Sequence, residues 1–149
     1  MKLLFIIISL FPLQNKCDDM QSIRNDFHTI DSKEKLESFI ELTTKSESEK
    51  ALPYLASAIM QSAKYAFFPT KKLKNFNKGK KMLESFIQNN PNNIEARYIR
   101  IFVQSEIPKF LGYKKEIEAD IEFVKLKIDD SDLPEVYKNL ILKNISEIK

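Results

Sequence analysis

Residues 76 to 100 read FNKGKKMLESFIQNNPNNIEARYIR, and this stretch constrains the fold more than any other. Leu73, just before it, and Phe76, Gly79, Leu83, Phe86 and Ile87 recur at helical spacing as one inner face. Asn89-Asn90 ends that stripe, and Pro91 forbids its continuation because proline has no backbone N–H and clashes with the preceding turn. Asn92 or Asn93 then caps a second stripe of Ile94, Tyr98, Ile101, Phe102 and Ser105. A connection this short makes the two helices antiparallel neighbours. Only two glycines, Gly79 and Gly112, occur in 149 residues. That leaves little material for the turns of a many-stranded sheet and none for a glycine-rich phosphate loop.

Helical periodicity runs through most of the chain. Met20, Ile23, Phe27 and Ile30 predict a short helix or a packed lead-in. Asp31 and Glu34 have the spacing of a capping box ahead of Leu36, Phe39, Ile40 and Thr43, which predicts a helix over roughly 32–45. Leu52, Leu55, Ile59, Ser62 and Ala66 mark the next helix, and its alanines make it thin enough to lie centrally. Thr70 is placed to cap a helix over about 71–89, in which Gly79 admits a close neighbour. Ile107-Pro108 interrupts the helix after Pro91, and PKFLGY crosses over with Gly112 as its turn residue. Ile117, Ile121, Val124 and Ile128 form a further stripe, and Leu133, Tyr137, Leu140, Ile141, Ile145 and Ile148 the last. The expectation is an all-α fold of five to six antiparallel helices stacked as helix hairpins, with residues 18–149 as one domain.

The N-terminus, MKLLFIIISLFPLQNKC, places Lys2 before an apolar run from Leu3 to Leu13. The run is too short for a membrane-spanning helix, which needs roughly 20 residues, and it fits the core of a signal peptide over residues 1–16. Cys17 is then a candidate lipidation site, although Gln14, Asn15 and Lys16 are not the small residues such a site carries. The competing reading is a plain apolar first helix of a cytosolic protein. The expectation is export to the periplasm or medium, with lipid anchoring at Cys17 as a variant. Without residues 1–16 the chain keeps 22 basic and 21 acidic residues, so its overall charge gives no case for nucleic acid. One cysteine leaves no intramolecular disulfide.

Taking Pro91 as the reference, Gly79, Leu83, Phe86 and the following Asn92-Asn93-Ile94-Glu95-Ala96 resemble the junction between tetratricopeptide repeats. The pattern departs at Arg97, Arg100 and Ile101, and no second copy occurs 34 residues away. FNKGKKMLE, NPNNIEARYIR and PKFLGY, in that order, are similar to small exported bacterial helical proteins of unassigned activity. The first resemblance implies a truncated solenoid or bundle. The second implies export, and it brings no catalytic residues.

Reactive residues are scarce. His28 is the only histidine, so a nucleophilic triad or a zinc site has little to draw on. Glu116, Glu118, Asp120 and Glu122 lack the spacing and glycine of a calcium loop. No enzyme activity, metal or cofactor is expected. Residues 50–83 hold eight lysines and no acid, whereas residues 116–135 hold eight acids and two lysines. These are two solvated faces, two patches facing each other, or a contact for a partner, anionic lipid among the options. Arg97 and Arg100 lie one turn apart. They either clamp a partner's carboxylate or pair with an internal acid such as Glu84 or Glu118. Lys109, Phe110 and Tyr113 in the crossover are candidate partner contacts, or plug the core. The leading expectation is a non-catalytic protein- or peptide-interaction module of the bacterial cell envelope, with no nucleic-acid partner. The alternative is a small-ligand or lipid carrier with a cavity lined by residues such as Phe86 and Phe102.

Overall fold

The structure is a computed structural model that describes residues 19–148. The export segment and Cys17 lie outside them. The described residues form an all-α fold without strands, made of α1 (Asp19–Phe27), α2 (Lys33–Lys45), α3 (Leu52–Gln61), α4 (Pro69–Asn89), α5 (Ile94–Glu106), α6 (Ile117–Lys127) and α7 (Glu135–Glu147). Three short 3₁₀ turns, at Glu49–Ala51, Ser62–Tyr65 and Lys109–Leu111, join them. Among the described residues there are seven α-helices rather than the expected five to six, because the lead-in folds as α1. It buries Met20, Ile23 and Phe27 at spacings of three and four, and Arg24 ties it to α5.

Side-chain caps start α2 and α5. Asn93, rather than Asn92, caps α5, its Oδ1 accepting from Ala96 N at 2.8 Å. The cap of α2 is Ser32, whose Oγ accepts from Lys35 N at 3.2 Å. Asp31, expected as the cap, accepts from Lys35 Nζ at 2.8 Å instead. Gly112 adopts φ 63°, where a side chain would strain the turn that ends the crossover.

The thin α3 is central and packs against α2, α4 and α5. Ala56, Ser57 and Ala58 are fully buried there. Gly79 of α4 faces it so closely that an added Cβ would overlap the Ala56 carbonyl oxygen and lie 2.9 Å from Met60 N. Any side chain at 79 would push the two backbones apart, so this glycine sets the α3–α4 distance. α6 packs on α5. α7 closes the other side through long side chains, with Tyr137 reaching Tyr54 of α3 and Asn144 reaching Tyr98 of α5.

Candidate functional site

α5 carries polar residues on two opposite faces. Glu95, Tyr98 and Phe102 follow one another at three and four residues, and so do Arg97, Arg100 and Gln104. With 100° per residue these two rows lie on opposite sides of the helix. Both are largely buried, so each must find partners inside the protein.

On the first face Glu95 accepts from Arg24 Nε at 2.8 Å and from its terminal nitrogen at 3.0 Å. Tyr54 donates its hydroxyl to the same carboxylate at 2.7 Å and lies 2.6 Å from the Tyr137 hydroxyl. The Arg24 guanidinium also lies 5.5 Å from the centre of the Tyr137 ring. The bond to Glu95 holds Arg24 firmly protonated against the burial that opposes it. Burial pushes the Tyr54 and Tyr137 hydroxyls well above the usual phenol range. Tyr98 is pushed up to about 12 by burial, partly offset by the amide of Asn144, which donates to it at 2.7 Å.

On the second face Asp120 of α6 is fully buried and serves two cations. Arg100 donates to it at 2.6 and 2.8 Å, and Arg97 at 2.7 Å. Arg100 also donates to Glu84 of α4 at 2.8 Å, and the Tyr113 hydroxyl donates to that same Glu84. Burial opposes the charge on Arg100, but Asp120 and Glu84 outweigh it and raise its pKa. Burial and the neighbouring Glu84 together raise that of Tyr113. Gln104 donates to Glu116 at 2.7 Å, while its own carbonyl oxygen is buried with no partner among the described residues.

Of the two expectations for the arginines, these contacts match internal pairing rather than a clamp held open for a partner. Arg100 donates to Asp120 and Glu84, and Arg97 to Asp120 and the Pro91 carbonyl. Glu84 is a partner as expected, but the second acid is Asp120 in place of Glu118, which is exposed. Tyr113 is buried, 6.2 Å from the Phe76 ring and under the Lys80 ammonium at 4.5 Å. Lys109 and Phe110 remain outside, Phe110 being 85% exposed. The crossover therefore plugs the core with Tyr113 and leaves Phe110 in solvent. Arg24 and Glu95, 71 residues apart, escaped sequence reasoning. The one available signal was the acid at 95 sharing a face with apolar Tyr98 and Phe102.

Two clefts adjoin the networks. The larger, of about 840 Å³, lies between the α4–α5 turn and the α6–α7 turn, with Asn92, Glu95, Phe123, Lys127 and Asp130 among its walls. Arg97 braces both walls. Its Nε donates to the Pro91 carbonyl at 2.9 Å, its tip to Asp120, and its guanidinium covers the Phe123 ring at 4.1 Å. The smaller cleft, of about 470 Å³, is lined by Phe27, His28, Tyr98, Phe102, Leu140 and Asn144 among others. Phe102 was expected at such a cavity; Phe86 is not part of it. His28 lies 3.5 Å from the Tyr98 hydroxyl, and its pKa is lowered by burial.

Among the described residues no three His, Cys, Asp or Glu side chains are grouped to hold a metal ion, and no helix is long and apolar enough to cross a membrane. Fold and interior define an all-α protein organised on two buried ion-pair networks. Comparison with protein-family models, curated proteins and solved structures finds no match.

Proposed function

We propose that this protein is a non-catalytic interaction module of the bacterial cell envelope, its helix hairpins stacked like a truncated tetratricopeptide solenoid, and that it receives a protein or peptide segment. The observation that carries the reading is the braced 840 Å³ cleft. Its size falls in the ~300–1,000 Å³ range of ligand sites. Its walls offer a side-chain amide at Asn92, a cation at Lys127 and a carboxylate at Asp130. That mixture suits the alternating donors and acceptors of an extended backbone better than it suits an apolar ligand. Arg97 ties the two walls together through its bonds to the Pro91 carbonyl and Asp120 and its contact with the Phe123 ring, which limits the ordering that binding requires. A random-peptide display selection on the full chain tests it. Enriched peptides are expected to bind wild type and to lose about tenfold in affinity, ~1.4 kcal/mol, with Lys127→Glu or Asp130→Lys. No enrichment, or equal affinity for both variants, overturns the reading.

The second cleft favours a small-ligand or lipid carrier as the other reading, because Phe27, Phe102 and Leu140 surround the polar tips of His28 and Asn144. A fatty acid that raises Tm in wild type, but not once Phe102→Trp fills the space, would favour it over the first.

A further inference from the structure

We infer that the α3–α4 loop, with the outer face of α4 and the adjoining crossover, docks on an anionic lipid bilayer. This surface is separate from both clefts. Its apolar part is Phe67, 87% exposed, and Phe68, 63% exposed, at the loop, with Leu73 one turn into α4, expected on the inner face but 53% exposed because it precedes the stretch that packs on α3. The two phenyl rings touch edge to face at 5.0 Å. Neighbouring exposed aromatic side chains leave apolar area in water that no described residue covers.

The charge around them has one sign. Residues 62–83 hold seven lysines and no acid. Lys71, Lys74, Lys78 and Lys81, spaced three, four and three, form an exposed row along α4. None of these four forms an ion pair among the described residues. The crossover lies on the flank of α4 that carries Lys80, where Tyr113 packs on Phe76 and beneath the Lys80 ammonium, and it adds Lys109, Phe110 and Lys115 as exposed residues of its own. The acids of residues 116–135 follow the crossover in the chain, from Glu116 at the start of α6 to Glu135 at the start of α7.

Three features favour a bilayer over a nucleic acid or an acidic protein. Phenylalanine has no polar handle, so its gain comes from entering hydrocarbon. All the cations are lysines, with no arginine between residues 25 and 96. Lysines answer a diffuse negative field, whereas recognition of individual phosphates or carboxylates favours the arginine fork. The edge-to-face pair also gives no flat platform on which successive bases would stack. Apolar tips inserted at the headgroup boundary and surrounded by lysines are the chemistry of interfacial binding.

The chain has no tryptophan, so F67W places a single indole at the point of contact. The full-length variant is mixed with vesicles of phosphatidylcholine alone and with about 30% phosphatidylglycerol, and emission is read with and without lipids brominated on their chains. The expected result is a blue shift and bromine quenching on the anionic vesicles only. Affinity should fall about fivefold for each lysine of the α4 row replaced by alanine, and both signals should fade toward 1 M salt, where the screening length is about 3 Å. Reading the indole at 67 separates this contact from any membrane attachment elsewhere in the chain. Unchanged emission on anionic vesicles overturns the inference. So does an equal shift on neutral vesicles, or a shift with single-stranded RNA or heparin and none with lipid.

Discussion

The two faces of α5 solve the same problem by different means. On the Asp120 face the arginines sit on α5, and the carboxylates come from α6 and α4, so two cations and two anions interlock. On the Glu95 face the carboxylate sits on α5, one cation comes from α1, and the Tyr54 and Tyr137 hydroxyls from α3 and α7 extend the chain of bonds. The first network binds α5 to its sequence neighbours α4 and α6. The second reaches α1, α3 and α7, which lie far along the chain, and so it closes the fold. Charge density carries the first, and hydroxyl groups the second. Their sensitivities to mutation and pH differ accordingly.

The largest expected effect follows from that difference. Removing one partner of a buried pair costs about 3–5 kcal/mol, because the other charge stays buried. Asp120→Ala takes the shared carboxylate from two guanidiniums, leaving Arg100 with Glu84 and Arg97 with the Pro91 carbonyl, and belongs at the top of that range, whereas Glu95→Ala takes it from one and belongs at the bottom. For a chain of this size each kcal/mol lowers Tm by roughly 2–4 °C. Thermal melts at neutral pH should place Asp120→Ala clearly below Glu95→Ala. Equal losses would mean that the phenols bind Glu95 as strongly as the second arginine binds Asp120, and the contrast would fall.

The Asp120 face was partly legible in the sequence and the Glu95 face was not. Arg97 and Arg100 stand one turn apart, and Glu84 lies on the preceding antiparallel helix, so local spacing alone points to their meeting. Asp120 was harder to select over Glu118, because four acids crowd residues 116–122 and only the orientation of α6 decides which turns inward. The Arg24–Glu95 pair depends on where α1 docks, and periodicity carries no information about that. The stripe around Pro91 and the need for a glycine at 79 were readable, since backbone rules act over a few residues. Phe110 shows the limit of hydrophobicity as a guide. It is as apolar as the residues that plug the core, yet the Gly112 turn directs Tyr113 inward and leaves Phe110 out.

A smaller effect concerns high pH. Tyr98 is pushed up to about 12, and burial raises Tyr54 and Tyr137 as well. In the unfolded chain these phenols ionise near pH 10. Above that value the unfolded state binds fewer protons than the folded one, so stability falls as pH rises. Alkaline unfolding, followed by circular dichroism, should coincide with cooperative phenolate absorbance at 295 nm. Tyr137→Phe removes one such group and leaves Tyr54 bonded to Glu95. It should lower stability at pH 7 by about 1 kcal/mol and make the alkaline decline shallower. Because Tyr113 alone represents the Asp120 face, Tyr113→Phe should flatten the decline less than Tyr54→Phe and Tyr137→Phe combined. The opposite order would assign the alkaline sensitivity to the wrong face.

The smallest expected effect lies at acid pH and involves His28, the only histidine. Burial lowers its pKa below the ordinary 6.5, so the folded protein holds it neutral where the unfolded chain has begun to protonate. The unfolded state then binds more protons, and stability rises with pH across this window. The contribution is complete above about 6.5 and is lost as pH falls through the depressed value. His28 is only half-buried and lines the smaller cleft, so water limits the size of the effect. His28→Gln should narrow the wild-type drop in Tm between pH 7 and pH 5 by a degree or two, in keeping with a fraction of a kcal/mol. An unchanged slope would remove His28 from the acid response and leave the carboxylates to account for all of it. The same measurement bears on the carrier reading. An apolar ligand seated against the ring would exclude water from it, depress its pKa further and steepen the wild-type slope, and His28→Gln would abolish that steepening.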